Sequence, residues 1–285
     1  MTKLFVLDRI GDIALHQPRR PALQAGGGSL DYGDLATAVT GLCDVLRAQG
    51  VGAEDVVATV LPRGGNSIIA MLAIWRSGAA YLPVDAKWPQ RRRDLVLSES
   101  ATFVLEEADG GAPGMPGEPG LRVRRSAESR SRTQHTEAGE HNLAYVIYTS
   151  GSTGTPLAVG VEFGAMDNYA SYLHDLVRKS GVHADGDLRV MLSADLSFDA
   201  SLRPVLLLAA GATLVIAPDL TEGSWQDHID CVTANHVTVL SGVPSWYSGL
   251  LGAGFRPADS EVQLAFIGGE AVPNGVVRKL VSGGC

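Results

Sequence analysis

The sequence predicts an α/β protein built from doubly wound, mostly parallel sheets with flanking helices. Short apolar runs rich in β-branched residues alternate with segments of helical period along most of the chain, as in parallel sheets joined by crossover helices. Glycine-rich turns follow several of these runs, and ligands bind at such strand ends. The 285 residues are 45% hydrophobic and 19% charged, which suits one large domain or two subdomains with a substantial core.

The first part of the chain shows helical and strand patterns in turn. Four apolar residues form a helical face within 6–17, before two prolines. The other predicted elements are a strand over 22–25, a helix from about 35 to the stop at Gly50, a buried strand over 55–61, and a helix over 66–77 that ends at Gly78.

The composition changes between residues 106 and 141. A Gly- and Pro-rich stretch over 110–120 predicts a flexible loop, and five arginines interleaved with serines follow it. These arginines indicate either a basic patch or, more commonly, a solvated connector with one short strand around 121–123. We therefore place a soft boundary near residue 140, between an N-terminal α/β subdomain (1–140) and a partial α/β subdomain (141–285).

Strands and helices alternate after this boundary. The predicted strands are 143–148, 188–193, 212–217, 237–240 and 262–267. The predicted helices are 163–179, 202–210, 225–235, 245–251 and 276–281. This order predicts ligand sites beyond the carboxyl ends of the strands.

Charge and cysteine content exclude several classes of partner. The formal net charge of −8 argues against a surface for nucleic acid or anionic membrane. No apolar run reaches the length of a membrane span, and charge occurs too early for a signal peptide. Three cysteines lie far apart without metal spacing, which favours a reducing compartment, so we expect a cytoplasmic protein without nucleic-acid or membrane partners.

The most informative stretch is the predicted strand 143–148 with the polar loop that follows it. The loop consists of Thr149, Ser150, Gly151, Ser152, Thr153 and Gly154. Its glycines free the backbone and its hydroxyls supply donors, so the loop can direct several N–H and O–H groups at one anion. The residues alone leave open an ordinary solvated Gly/Ser turn. No Walker motif is present.

The run LAYVIYTSGSTG over 143–154 resembles the phosphate loop of adenylate-forming enzymes, most closely the amino-acid adenylation domains of nonribosomal peptide synthetases. The runs LDYGDL (30–35) and SGAAYLPVD (77–85) resemble two structural motifs of the same family. The resemblance implies that the six loop residues bind ATP. It also implies Mg²⁺, held by a glutamate that in the family lies beyond the position of residue 285.

A second motif, FDAS, begins at residue 198. On residues alone, Asp199 is an N-cap for the following helix. In the family this aspartate holds the α-ammonium of the amino acid, and a carboxylate is a strong anchor for that group. The resemblance also assigns Ala200 to the substrate site, and it implies that Arg203, one helical turn on, faces the substrate side chain. Arg203 either pairs with an acidic side chain, such as that of aspartate or glutamate, or is a surface arginine.

A third motif, FIGGEA, begins at Phe266. The resemblance assigns Gly269, Glu270 and Ala271 to the adenine side of the site, and Phe266 and Gly268 to the amino-acid pocket. Paired glycines after a strand let a flat ring approach the backbone. Ser245, which follows a Val-Pro pair, corresponds to a further pocket residue in the family.

The sequence also departs from the family. Thr155 and Leu157 replace two lysines that follow the phosphate loop, and Phe163 replaces a histidine. A lysine beside a triphosphate offsets charge that backbone dipoles balance only in part. The segment Asn-x-Tyr-Gly-Pro-Thr-Glu and the C-terminal catalytic half have no counterpart, so we expect the chain alone to be incomplete or inactive.

Three functional hypotheses follow. The chain is part of a domain that forms aminoacyl-adenylate for nonribosomal peptide synthesis, with an amino acid, a C-terminal adenylation half and a carrier protein as partners. Alternatively, it is a degenerate domain that binds nucleotide or protein without catalysis, which the missing lysines favour. The third alternative is a relative of acyl- or aryl-acid CoA ligases, which Asp199 disfavours.

Overall fold

A computed structural model describes residues 4–26, 28–112, 114–126, 139–150, 156–182, 188–221 and 223–283. Within these ranges, twelve strands form two six-stranded sheets, and helices flank them. The strands are β1 (Pro21–Ala25), β2 (Gly28–Asp31), β3 (Val56–Val60), β4 (Ala80–Pro83), β5 (Phe103–Ala108), β6 (Gly120–Arg125), β7 (Leu143–Ser150), β8 (Pro156–Glu162), β9 (Arg189–Leu192), β10 (Thr213–Ile216), β11 (Val239–Gly242) and β12 (Leu264–Ile267).

The helices are α1 (Phe5–His16), α2 (Tyr32–Ala48), α3 (Gly65–Ser77), α4 (Gln90–Ser100), α5 (Phe163–Ser180), α6 (Leu202–Leu206), α7 (Trp225–Ala234), α8 (Pro244–Gly252) and α9 (Asn274–Ser282). The predicted fold class, mostly parallel α/β sheets with flanking helices, is confirmed.

The two sheets have different strand orders but the same plan. The first sheet has the order β6-β5-β3-β4-β7-β8, and the second has the order β12-β11-β9-β10-β1-β2. In each sheet the inner pairs are parallel, while β5–β6, β7–β8 and β1–β2 are antiparallel. Each sheet draws strands from both sides of residue 140, and the division at that residue stays a prediction.

Helix α3 is at the centre of the larger apolar core. Every residue of it except Arg76 is buried, because the core surrounds the helix on all sides. The indole Nε1 of Trp75 donates to the carbonyl oxygen of Ala144 in β7 at 2.9 Å, which joins the helix to the first sheet. Gly78 ends the helix with a φ of 90°, a left-handed conformation that favours glycine.

Among the described residues, the elements that the sequence patterns did not predict include β2, β4, α4, β5 and β8. Only Val96 is buried in α4, so that helix carries no apolar stripe. Strand β5 begins at Phe103, before the segment interpreted as a connector, and its last three residues extend into that segment. Strand β8 is largely exposed, so no alternation of buried and exposed positions marks it. The predicted helix 202–210 is divided into α6 and a 3₁₀ turn over Leu207–Ala210.

The loop predicted to be flexible is held against the start of α3. The two carboxylate oxygens of Glu118 accept hydrogen bonds from the backbone N–H groups of Gly65 and Asn66, both at 2.8 Å. The Asn66 side chain accepts from the backbone N–H of Met115 at 2.7 Å. A carboxylate at a helix N-terminus satisfies orphan donors and complements the helix dipole, so the loop stabilises the central helix.

One arginine connects the carboxyl ends of the two sheets. Arg63 follows β3, and its guanidinium donates to the carbonyl oxygens of Ser193 and Ala194 after β9 (2.6 and 3.4 Å). It also donates to those of Ala217 and Pro218 after β10 (3.1 and 2.7 Å). Burial lowers the Arg63 pKa, and the four carbonyl oxygens replace the water that the charge has lost.

The Pro218 carbonyl also anchors a buried histidine. His228 has no exposed surface; its Nε2 lies 2.8 Å from the Pro218 oxygen, and Trp246 Nε1 donates to its Nδ1 at 3.1 Å. Because Nδ1 accepts a hydrogen bond, the neutral ring with the proton on Nε2 satisfies both contacts. Burial lowers the His228 pKa, and nearby Arg63 lowers it further.

We predict that Glu118→Ala lowers the free energy of unfolding by about 1–2 kcal/mol, because two helix N-terminal donors lose their acceptor. Urea denaturation of both forms measures the difference. Glu107→Ala, at an exposed position of β5, is the matched control. Equal losses for the two variants would contradict the capping role.

We predict that stability falls as the pH drops below about 6.5, the unfolded pKa of histidine, because His228 has a lower pKa in the folded state. The unfolded chain then binds a proton that the folded chain does not. The stability that neutral His228 gives the folded state is fully lost below the folded pKa. Unfolding free energies at pH 7.5 and 5.5 for wild type and His228→Asn test this. The prediction is refuted if His228→Asn shows the same difference in unfolding free energy between the two pH values as wild type. It is also refuted if the control His16→Gln removes that difference to the same extent.

Candidate active site

A cavity of about 500 Å³ lies where the β7–β8 hairpin meets the segment after β9. Side chains of β7, β8, the start of α4 and the segment 195–199 form its walls. The polar and charged residues that line it are Asp85, Arg92, Tyr145, Tyr148, Thr149, Asp195, Ser197 and Asp199. Asp199 and Thr149, predicted from two separate motifs, therefore share one cleft.

Asp199 is exposed at the edge of this cavity, where it begins a 3₁₀ turn, Asp199–Ser201. No side-chain hydrogen bond caps that turn. Burial raises the pKa of the Tyr145 hydroxyl, and the charge of Asp199 raises it further, which indicates that the phenol and the carboxylate are close. An exposed carboxylate beside a neutral phenol suits the binding of a cationic group.

The phosphate-loop prediction is only partly within the described residues. Thr149 and Ser150 belong to β7, so the strand extends two residues beyond its predicted end, and Ser150 pairs with Pro156 of β8. The Thr149 hydroxyl donates to the carbonyl oxygen of Leu157 at 3.3 Å. Gly151, Ser152, Thr153 and Gly154 lie outside the described residues.

Arg203 lies in a separate cluster with Phe266. Its Nε donates to the Tyr169 hydroxyl at 2.9 Å and its Nη1 to the Ser241 hydroxyl at 3.1 Å. Its Cζ is 5.1 Å from the centroid of the Phe266 ring, within cation–π range. The structure thus joins two predicted pocket residues, although neither is among the described residues lining the 500 Å³ cavity.

Two further predicted residues contact each other. The carboxylate of Glu270 accepts hydrogen bonds from the backbone N–H of Ser245 at 3.0 Å and from its hydroxyl at 2.8 Å. Ser245 is in the first turn of α8, so Glu270 caps that helix. Gly269 has a φ of 89° and, like Glu270 and Ala271, is exposed; Ala200 and Gly268 are half-buried. The adenine-side and pocket roles of these residues stay predictions.

Sequence reasoning did not single out several residues that contact the predicted ones. Ser241 is within β11 and holds Arg203, and Tyr169 is on α5, far from any motif. Tyr145 belongs to the predicted strand 143–148, and its position there gives no sign of a binding role. The position of Ser241 near a strand's carboxyl end was a usable signal, whereas the packing that brings Tyr169 to Arg203 leaves no mark in the sequence.

The described residues contain no group of three or more His, Cys, Asp or Glu side chains arranged to hold a metal ion. In the same part of the chain, no helix has both the length and the apolar character that a bilayer crossing requires.

Comparisons with known proteins define the family. A family model described as AMP-binding enzyme matches residues 12–285. Bacitracin synthase 1 of Bacillus licheniformis is 30% identical over 269 residues, or 92% of this chain and 5% of that protein. Pyochelin synthetase PchF of Pseudomonas aeruginosa is 33% identical over 234 residues, or 81% of this chain and 13% of that protein.

The fold is also found in a solved nonribosomal peptide synthetase. The crystal structure of FmoA3 in its α-methyl-L-serine-AMP-bound form matches with a TM-score of 0.78 and 29% identity, over 97% of this chain and 31% of that chain. The chain therefore belongs to the AMP-binding enzyme family. The resemblance to adenylation domains of nonribosomal peptide synthetases, inferred from the sequence motifs, is confirmed. The chain spans a small part of the relatives that it matches, from 5% to 31% in these three.

Proposed function

We propose that this chain is part of a domain that activates an amino acid for nonribosomal peptide synthesis. The reaction joins the amino-acid carboxylate to the α-phosphate of ATP and releases pyrophosphate. One observation carries the proposal: Asp199, an anchor for an ammonium group, and Thr149, at the base of the phosphate loop, line one cavity. A ligand with an ammonium at one end and a phosphate at the other fits that pair.

In the proposed reaction the chain orients its ligands. Asp199 holds the α-ammonium by a charge-assisted hydrogen bond and so fixes the direction of the carboxylate. The uncharged phenol of Tyr145 supplies a donor beside the reacting groups, and the Thr149 hydroxyl supplies a second one when it exchanges its bond to the carbonyl oxygen of Leu157 for the ligand. ATP supplies the adenylyl group that activates the carboxylate, and pyrophosphate leaves. We propose Mg²⁺, a C-terminal adenylation half and a carrier protein as further partners.

We further propose an acidic amino acid as the substrate. The Arg203 guanidinium is fixed by two hydroxyl acceptors and by the Phe266 ring. No ion pair recorded between described residues includes Arg203. A half-buried guanidinium that is bonded to two hydroxyls but to no described carboxylate can still pair with a substrate carboxylate in bidentate geometry. This arrangement favours aspartate, glutamate or aminoadipate over aliphatic and aromatic amino acids.

The second candidate function is binding of nucleotide or protein without catalysis. The observation that favours it is the exposed leucine at position 157, 62% accessible, where the family has a lysine. An apolar side chain there supplies no charge to a triphosphate.

We predict that Asp199→Asn lowers amino-acid-dependent ATP–pyrophosphate exchange by about 10- to 100-fold, because a charged hydrogen bond to the ammonium contributes about 1.5–3 kcal/mol. The assay uses a chimera of this chain with the C-terminal half of a related adenylation domain. Asp230→Asn, an exposed carboxylate on α7, is the control and should retain exchange. Full exchange by Asp199→Asn would contradict the assigned role, and no exchange by the unmutated chimera with any amino acid would favour the non-catalytic alternative.

We predict that the same chimera prefers acidic amino acids and that Arg203→Gln reduces this preference by about 10- to 100-fold in kcat/KM. The loss arises because a neutral amide replaces the cation that pairs with the substrate. Exchange rates over a panel of acidic, aliphatic and aromatic amino acids measure it. Arg178→Gln, an exposed position on α5, should leave the preference unchanged. Preference of the unmutated chimera for leucine or phenylalanine would refute the acidic assignment.

A further inference from the structure

We propose that Arg92 supplies the positive charge that binds the phosphates of the nucleotide, in place of the two lysines that Thr155 and Leu157 replace. The inference rests on the proposed function, since it concerns the same cavity. Thr155 and Leu157 carry no charge, so any cation for a phosphate must come from another part of the chain.

Arg92 lies in the first turn of α4, a helix that shows no apolar pattern in the sequence. It lines the 500 Å³ cavity together with Thr149 and Asp199. Among the described lining residues, Arg92 is the only cation. An anionic ligand in this cavity therefore has one cationic side chain to meet.

The guanidinium of Arg92 is held in place by an aromatic ring. Its Cζ is 4.0 Å from the centroid of the Trp88 ring, and Trp88 also lines the cavity. Stacking on an indole fixes the plane of a guanidinium while its N–H groups at the edge stay available to an acceptor. Arg92 is thus positioned before any ligand arrives, which reduces the entropy cost of binding.

The hydrogen-bonding capacity of Arg92 is not used within the described residues. Its Nε is buried and has no acceptor there, and none of the ion pairs recorded between those residues includes it. The next residue differs: Arg93 donates to the carbonyl oxygen of Ala86 at 2.8 Å and to the side chain of Gln90. A buried donor without an acceptor is unfavourable, and the terminal N–H groups of the same guanidinium also donate to no described side chain, so a phosphate oxygen in the cavity can accept from them.

The carboxylates around the cavity make this cation necessary. Asp85, Asp195 and Asp199 line it as well. Asp195 accepts hydrogen bonds from the backbone N–H and hydroxyl of Ser197 at 2.8 and 2.6 Å, and Asp85 accepts from the backbone N–H of Lys87 at 2.8 Å. Three carboxylates repel a phosphate, so loss of Arg92 leaves a cavity that favours cations alone.

The test is the binding of ATP and of adenosine to the purified chain, measured by isothermal titration calorimetry. Adenosine lacks phosphates, so it reports the rest of the site. We expect Arg92→Gln to weaken ATP binding by about 10- to 100-fold, since a charge-assisted contact is lost, and to leave adenosine affinity within about twofold. Raising the salt concentration should weaken ATP binding to wild type more than to Arg92→Gln.

Two matched variants separate a phosphate contact from a structural role. Arg91→Gln removes an equal charge from an exposed position of the same helix and should leave both affinities unchanged. Leu157→Lys in the Arg92→Gln background restores a cation beside the loop and should recover most of the ATP affinity. If Arg92→Gln does not fold, Arg92→Lys keeps the charge without the planar stack and should still bind ATP more tightly than adenosine.

The outcomes are distinguishable. Equal weakening of ATP and adenosine binding by Arg92→Gln would show that Arg92 only supports the fold around Trp88. Unchanged ATP affinity would show that Arg92 does not contact phosphate. Either outcome overturns this inference and leaves the proposed function standing. Binding of neither ligand by the wild-type chain would overturn both the inference and the nucleotide site in this chain.

Discussion

The guanidinium of Arg63 is the contact on which the relation between the two sheets depends. It extends from the carboxyl end of β3 in the first sheet to four backbone carbonyl oxygens after β9 and β10 in the second. Carbonyl oxygens at the ends of parallel strands have no further strand partner, and a buried guanidinium needs several acceptors. The carbonyl oxygens therefore satisfy both terminal nitrogens of the guanidinium, while its buried Nε has no acceptor among the described residues, and the carboxyl edges of both sheets are held together.

This juxtaposition places the candidate active site. Loops at the carboxyl edges of parallel strands carry ligand-binding residues, and here two such edges meet. The β7–β8 hairpin comes from the first sheet, and the segment that ends in Asp199 follows β9 of the second. Lys87 and Asp219 add an ion pair of 2.5 Å between the same two edges, and Lys87 holds the Asp219 pKa well below its usual range.

The fold class and most core elements could be predicted from the sequence, because helices and strands that bury one face carry a clear period. Elements that bury no such face could not be predicted in this way. Helix α4 buries Val96 alone, and β8 is mostly exposed. For the site, motif resemblance predicted Asp199 and Arg203. It did not identify Tyr169 or Ser241, which hold the Arg203 side chain, because their positions depend on how α5 and β11 pack. Composition alone could not show that Glu118 fastens its Gly- and Pro-rich loop to α3.

The central claim is that one cavity between the sheets holds an amino acid by its ammonium and a nucleotide by its phosphates. The most direct measurement is a crystal structure of the chain with a non-hydrolysable aminoacyl-adenylate analogue. The account predicts that the ligand occupies the 500 Å³ cavity, with its ammonium nitrogen within about 3.2 Å of an Asp199 carboxylate oxygen and its phosphate mimic beside Thr149. A ligand bound elsewhere, or bound in this cavity with its ammonium directed away from Asp199, would contradict it.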